Sequence, residues 1–126
     1  MKYTATQNFI NGQFANSSSS ESLDIVSPVN GELLSTVALS TAADLDAAVA
    51  AAKIAFKTWS TTPIKERVQV FFRYKYLLEK NLQELAELIS EENGKTISEA
   101  IAEVEKSIEI TEFACSLPQL ITGELL

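Results

Sequence analysis

The chain has 126 residues, 46% of them apolar, and a formal charge of −7 from 17 acidic and 10 basic side chains. That is the size and apolar content of one ordinary globular domain, and an acidic surface with scattered Lys and Arg repels a phosphate backbone, which argues against nucleic-acid binding. Met1 to Gln7 lacks the apolar run of a secretory signal, no window approaches about eighteen uninterrupted apolar residues, so no membrane span is expected, and the single cysteine excludes an internal disulfide and fits a reducing, cytoplasmic setting.

Asn11-Gly12, flanked by Phe9-Ile10 and Gln13-Phe14, predicts a hairpin with a type I′ turn, because both central residues tolerate positive φ. Ser17 to Ser20 is a polar tract that reads as a loop or mobile turn. Leu23 to Val26 and Leu34 to Val37 flank a second turn, Ser27-Pro28-Val29-Asn30-Gly31, in which proline pre-sets φ and Asn-Gly supplies the reversal.

From Thr41 the period becomes helical. Thr41-Ala42-Ala43-Asp44 fits a capping box, and Leu45, Ala48, Val49, Ala52, Phe56 and Trp59 then form an apolar stripe whose alanines imply close approach to another element. Thr62 is expected to cap the next helix, with Pro63 at its first position. That helix carries Ile64, Val68, Phe71, Phe72 and Leu78, then Leu82, Leu85, Ala86 and Ile89 after Asn81, and the pattern allows a bend near Glu79 to Asn81. Asn93-Gly94 reads as a C-cap. Thr96-Ile97-Ser98-Glu99 is a second capping box, and Ile97, Ile101, Val104, Ile108, Thr111 and Cys115 share a face until Pro118 and Gly123 mark the fading of the last helix. A β-rich head over residues 1–39 is thus followed by a helical region over 40–126, with no clean boundary and no internal repeat. Val70, Phe71, Phe72, Tyr74, Tyr76 and Leu77 lie nearly all round one helix, which implies burial by something beyond the small head.

The chain contains no histidine, so neither a Ser-His nor a Cys-His pair can be built, nor a histidine metal site. Cys115, on an apolar face, reads as a small core hydrophobe rather than a catalytic thiol. The glycines at 12, 31, 94 and 123 are too far apart for a dinucleotide-binding loop. Gly94-Lys95-Thr96 ends like a phosphate loop, but Ile89 stands where its first glycine must fall, and a helix precedes it. Glu99 and Glu103 share a helix face that could serve acid–base work or a hard cation, against the preferred reading of a solvated face. Lys106 can pair with Glu103 or Glu109 as an ordinary helix pair.

Taken in order, Asn8 to Phe14, Ser27 to Glu32, Ala52 to Trp59, Leu85 to Thr96 and Glu112 to Pro118 resemble the start of an aldehyde dehydrogenase. Within that superfamily the Ala114-Cys115-Ser116 segment and nearby Gly123-Glu124 are most similar to the CoA-acylating methylmalonate- or malonate-semialdehyde dehydrogenases. The resemblance implies an α/β fold of which this stretch is a mostly α-helical piece with short N-terminal antiparallel strands, part of the NAD-binding domain. The catalytic domain and an oligomerisation arm would lie elsewhere, in a parent several times this length. In such enzymes a cysteine attacks the aldehyde, a hydride passes to NAD, and the thioester is transferred to coenzyme A; every residue that does this would lie beyond Leu126. The truncated chain alone is then expected to be inactive and to bind no cofactor. One family residue carries over: an arginine on the last of these helices helps hold the substrate carboxylate, and its place is taken by Lys106. Lysine keeps the charge but loses the planar two-pronged fork, so Lys106 is either a weaker clamp or a surface lysine in a relative with another substrate. Cys115 matches a family cysteine that is not the nucleophile. The expected partner is the remainder of the dehydrogenase; the alternative is a stand-alone helical module that self-associates through its apolar faces without catalysis.

Overall fold

In the computed structural model, which describes residues 1–121, Asn11 and Gly12 both take positive φ, 53° and 77°. This is the backbone a type I′ turn demands and the reason Asn-Gly stands there. The turn joins β1 (Asn8–Ile10) to β2 (Gln13–Ala15) in antiparallel register, with Phe9 opposite Phe14 and their rings edge to face at 5.0 Å. β3 (Ser22–Val26) pairs antiparallel with β4 (Leu33–Ala38), with a register shift at Ile25/Val26. The predicted hairpins are therefore both present. The segment before β1, which the sequence pattern did not assign, runs along β4: Tyr3 N donates to Leu34 O at 2.8 Å, and Thr6 N and Oγ1 both donate to Thr36 O.

The chain divides into two compact units, Met1–Ser60 and Thr61–Leu126. The first closes with α1 (Ala42–Trp59), so the division between the units falls after Ser60, within the helical region read over 40–126. The reason is the alanine row. Ala48, Ala51, Ala52 and Ala55 line a groove with Phe9, Ile10 and the Asn11-Gly12 turn, and their small side chains let the helix approach β1 closely. Leu45, Val49 and Phe56, counted in the apolar stripe, lie about a quarter-turn round the helix from these alanines and are exposed.

The capping box at α1 is formed. Thr41 Oγ1 accepts from Asp44 N, and Asp44 Oδ2 accepts from Thr41 N at 2.8 Å. The same carboxylate also holds the serine tract, accepting from Ser17 Oγ at 2.7 Å and from Ser18 N at 3.1 Å. The tract that reads as a mobile turn is thus tied to a helix N-terminus. These donors, the Thr41 N–H foremost, hold the Asp44 carboxyl far below the usual carboxylate range. Because the folded group titrates below the unfolded one, its stabilisation is complete above about pH 4 and is lost as the pH falls further. An Asp44→Asn chain should be less stable than the parent at pH 6, and the gap should narrow below about pH 4. Urea titrations followed by the fluorescence of Trp59, which ends α1, measure this directly; a gap independent of pH would show that the carboxylate does not hold the cap.

The second unit begins with α2 (Ile64–Arg67), α3 (Gln69–Lys80) and α4 (Leu82–Asn93). Pro63, at ψ 140°, is itself the N-cap of α2 and accepts from Glu66 N and Arg67 N. The expected cap at Thr62 is therefore displaced by one residue, because proline's fixed φ suits the last non-helical position as well as the first helical one. The helix read as continuous is interrupted at Val68, which the apolar pattern did not reveal, and again at Asn81, where a bend was allowed. There the Asn81 side chain donates to Leu77 O at 2.7 Å and closes α3. α5 (Ile97–Cys115) starts at the second capping box, where Thr96 Oγ1 and N donate to Glu99 Oε2 and lower its pKa. α6 (Leu117–Leu120) follows with Pro118 in its first turn; Gly123-Glu124 lies outside the described residues.

The core of this unit is the α4–α5 seam. Ala86 and Ala100 are fully buried and Val104 nearly so, with Leu82, Leu85, Ile89, Ile101 and Ile108 packed round them. Of the predicted face, Ile101, Val104, Ile108, Thr111 and Cys115 are buried or half-buried, while Ile97 is exposed and Ala100, which was not included, joins Ala86 in the core. α3 packs on the same helix, burying Leu78, and Lys75 bridges Glu79 at 2.6 Å and Glu112 of α5 at 3.5 Å. Between α4 and α5, Gly94 sits at φ 80°, a left-handed C-cap donating to Ser90 O. An L-residue with a Cβ pays about 1–2 kcal/mol there. Gly94→Ala should lower the melting temperature by roughly 4–8 °C per kcal/mol lost, read by circular dichroism.

Candidate functional site

Most carboxylates of α5 are engaged separately, Glu105 being exposed. Glu99 serves the capping box, Glu103 pairs with Lys95 just before the Thr96 cap, and Glu112 receives Lys75. Glu99 and Glu103 are therefore held by different partners and do not converge as an acid–base pair. Among the described residues no group of three or more His, Cys, Asp or Glu side chains could hold a metal ion. The Lys95–Glu103 pair spans eight positions and escaped the three- and four-residue spacing rule, whereas Lys75–Glu79 obeys it.

Lys106 stands on the outer face of α5 with its side chain 68% exposed, its ammonium 2.6 Å from Glu109 Oε2. Of the helix partners open to it in sequence, Glu109 is the one engaged. A surface pair of this kind is weak, about 0.2–1 kcal/mol, so the ammonium can exchange Glu109 for another carboxylate at little cost. What Lys106 offers chemically is a point charge with rotatable donors, suited to attracting an anion and not to reading its shape. Cys115 is half-buried and free, at the last turn of α5. With no histidine in the chain, no Cys-His pair can activate it.

Gly12 and Gly31 sit in hairpin turns and Gly94 at a helix end. None of these follows a strand and opens a helix, the arrangement that cradles a pyrophosphate in a glycine-rich loop. The grooves of the first unit are open and lined by hydroxyls and alanines, without a charged cluster. In the second unit, the Arg67 Nε atom is buried without a hydrogen-bond partner, and Val70, Phe72, Tyr74, Tyr76 and Leu77 of α3 are exposed. Among the described residues no helix is long and apolar enough to cross a membrane.

The sequence model of the aldehyde dehydrogenase family matches residues 14–126. Malonate-semialdehyde dehydrogenase 1 of Geobacillus kaustophilus is 44% identical over 98% of this chain, and malonate-semialdehyde dehydrogenase of Halalkalibacterium halodurans 46% identical over 95%. The chain spans about a quarter of the length of these relatives, 25% in both cases. Among solved structures, one named as a methylmalonate-semialdehyde dehydrogenase from Sinorhizobium meliloti, determined with NAD, superposes with a TM-score of 0.92 at 38% identity, covering 100% of this chain and 26% of that one.

Proposed function

This chain belongs to the aldehyde dehydrogenase family, and we propose that it forms part of the framework of an NAD-dependent, CoA-acylating dehydrogenase of malonate or methylmalonate semialdehyde. The observation that carries this reading is the identity of 44–46% to malonate-semialdehyde dehydrogenases along nearly all of the chain. In this reading residues 1–126 belong to the NAD-binding domain. The nucleophilic cysteine, the nicotinamide site and the coenzyme A site are supplied by residues outside those described here, in a cytoplasmic, oligomeric enzyme. The exposed aromatic face of α3 and the unpartnered Arg67 Nε support this: apolar surface on that scale marks a face meant to be covered, and a buried donor without an acceptor costs about 1–3 kcal/mol until one is provided. The rest of the dehydrogenase is the partner that would do both.

The test is an assay of the full-length gene product. With malonate semialdehyde, NAD and coenzyme A it should form NADH and an acyl-CoA, while the purified 126-residue chain forms neither and binds no NAD by calorimetry. Turnover by the short chain, abolished in a Glu99→Gln, Glu103→Gln double variant, would overturn the reading in favour of an independent enzyme. A catalytically silent short chain that forms a dilution-resistant dimer would point instead to a self-associating module.

A further inference from the structure

We draw no further inference here: the strongest candidate, the exposed apolar face of α3 around Val70, Phe72, Tyr76 and Leu77, already serves the function proposed above, and nothing in the structure shows what else covers it.

Discussion

A Val104→Asp chain is expected to lose the cooperative unfolding of the helical unit. Val104 is 3% exposed and sits between α4 and α5 among Ala86, Ala100, Leu85, Ile101 and Ile108. None of these side chains can donate a hydrogen bond to a carboxylate, so the aspartate is either buried unpaired or forces the seam open. An uncompensated buried charge costs about 3–5 kcal/mol, against a total stability of roughly 5–15 kcal/mol for a whole domain. A unit with so small a core has little margin. Because Ala86 and Ala100 bring the two backbones close, the seam has no slack through which a side chain could reach water. Far-UV circular dichroism through a urea titration gives the readout: no folded baseline, or a midpoint shifted to very low urea. Glu105→Gln, one residue on and exposed, should stay within about 0.5 kcal/mol of the parent. A Val104→Asp chain that unfolds like the parent would mean that the α4–α5 seam is not the core.

How far such features could be read from sequence depends on how local their physics is. Both capping boxes, the Asn11-Gly12 turn and the Gly94 helix stop are decided within four or five residues, and all are present as expected. The break at Val68 carries no glycine, proline or capping side chain of its own that a local pattern could read. The course of residues 2–6 along β4 depends on backbone bonds thirty positions away, which no periodicity encodes. Apolar excess was legible as excess: the residues round α3 announce burial, and their exposure in this chain is what the pattern implied. Ala48 and Ala52 of α1 were legible as contact residues, but Ala51, Ala55 and Ala100 were not, because alanine contributes little to an apolar stripe yet decides where two elements can touch. The same limit governs the candidate site. Nothing in the spacing around Lys106 distinguishes it from any lysine in an acidic helix, and only family resemblance singles it out.

In the full-length enzyme, Lys106→Ala should lower kcat/KM for malonate semialdehyde by roughly 10- to 100-fold if the ammonium grips the substrate carboxylate, since a hydrogen bond to a charged group contributes about 1.5–3 kcal/mol and each 1.36 kcal/mol is tenfold. The loss should fall mainly on KM, because the carboxylate is remote from the reacting carbonyl and is held alike in ground and transition states. Propanal, of similar length but without the carboxylate, should be oxidised equally well by both enzymes, so the ratio of the two specificities isolates the contact from any general damage. Lys106→Arg should retain or improve use of the semialdehyde, as a planar fork meets both carboxylate oxygens where an ammonium meets one. Glu109 supplies an independent check. It engages the ammonium at 2.6 Å in this chain and competes with a substrate carboxylate there, so Glu109→Gln should lower KM for the semialdehyde slightly and leave propanal unchanged. A specificity ratio indifferent to Lys106→Ala would make this an ordinary surface lysine and separate the enzyme's substrate from that of the semialdehyde relatives. Since the pair with Glu109 is exposed and weak, the competition it poses is small, and the substrate's carboxylate wins only where the surrounding protein removes water from the contact. That requirement means that a substrate role for Lys106, as proposed above, depends on further protein covering this part of α5.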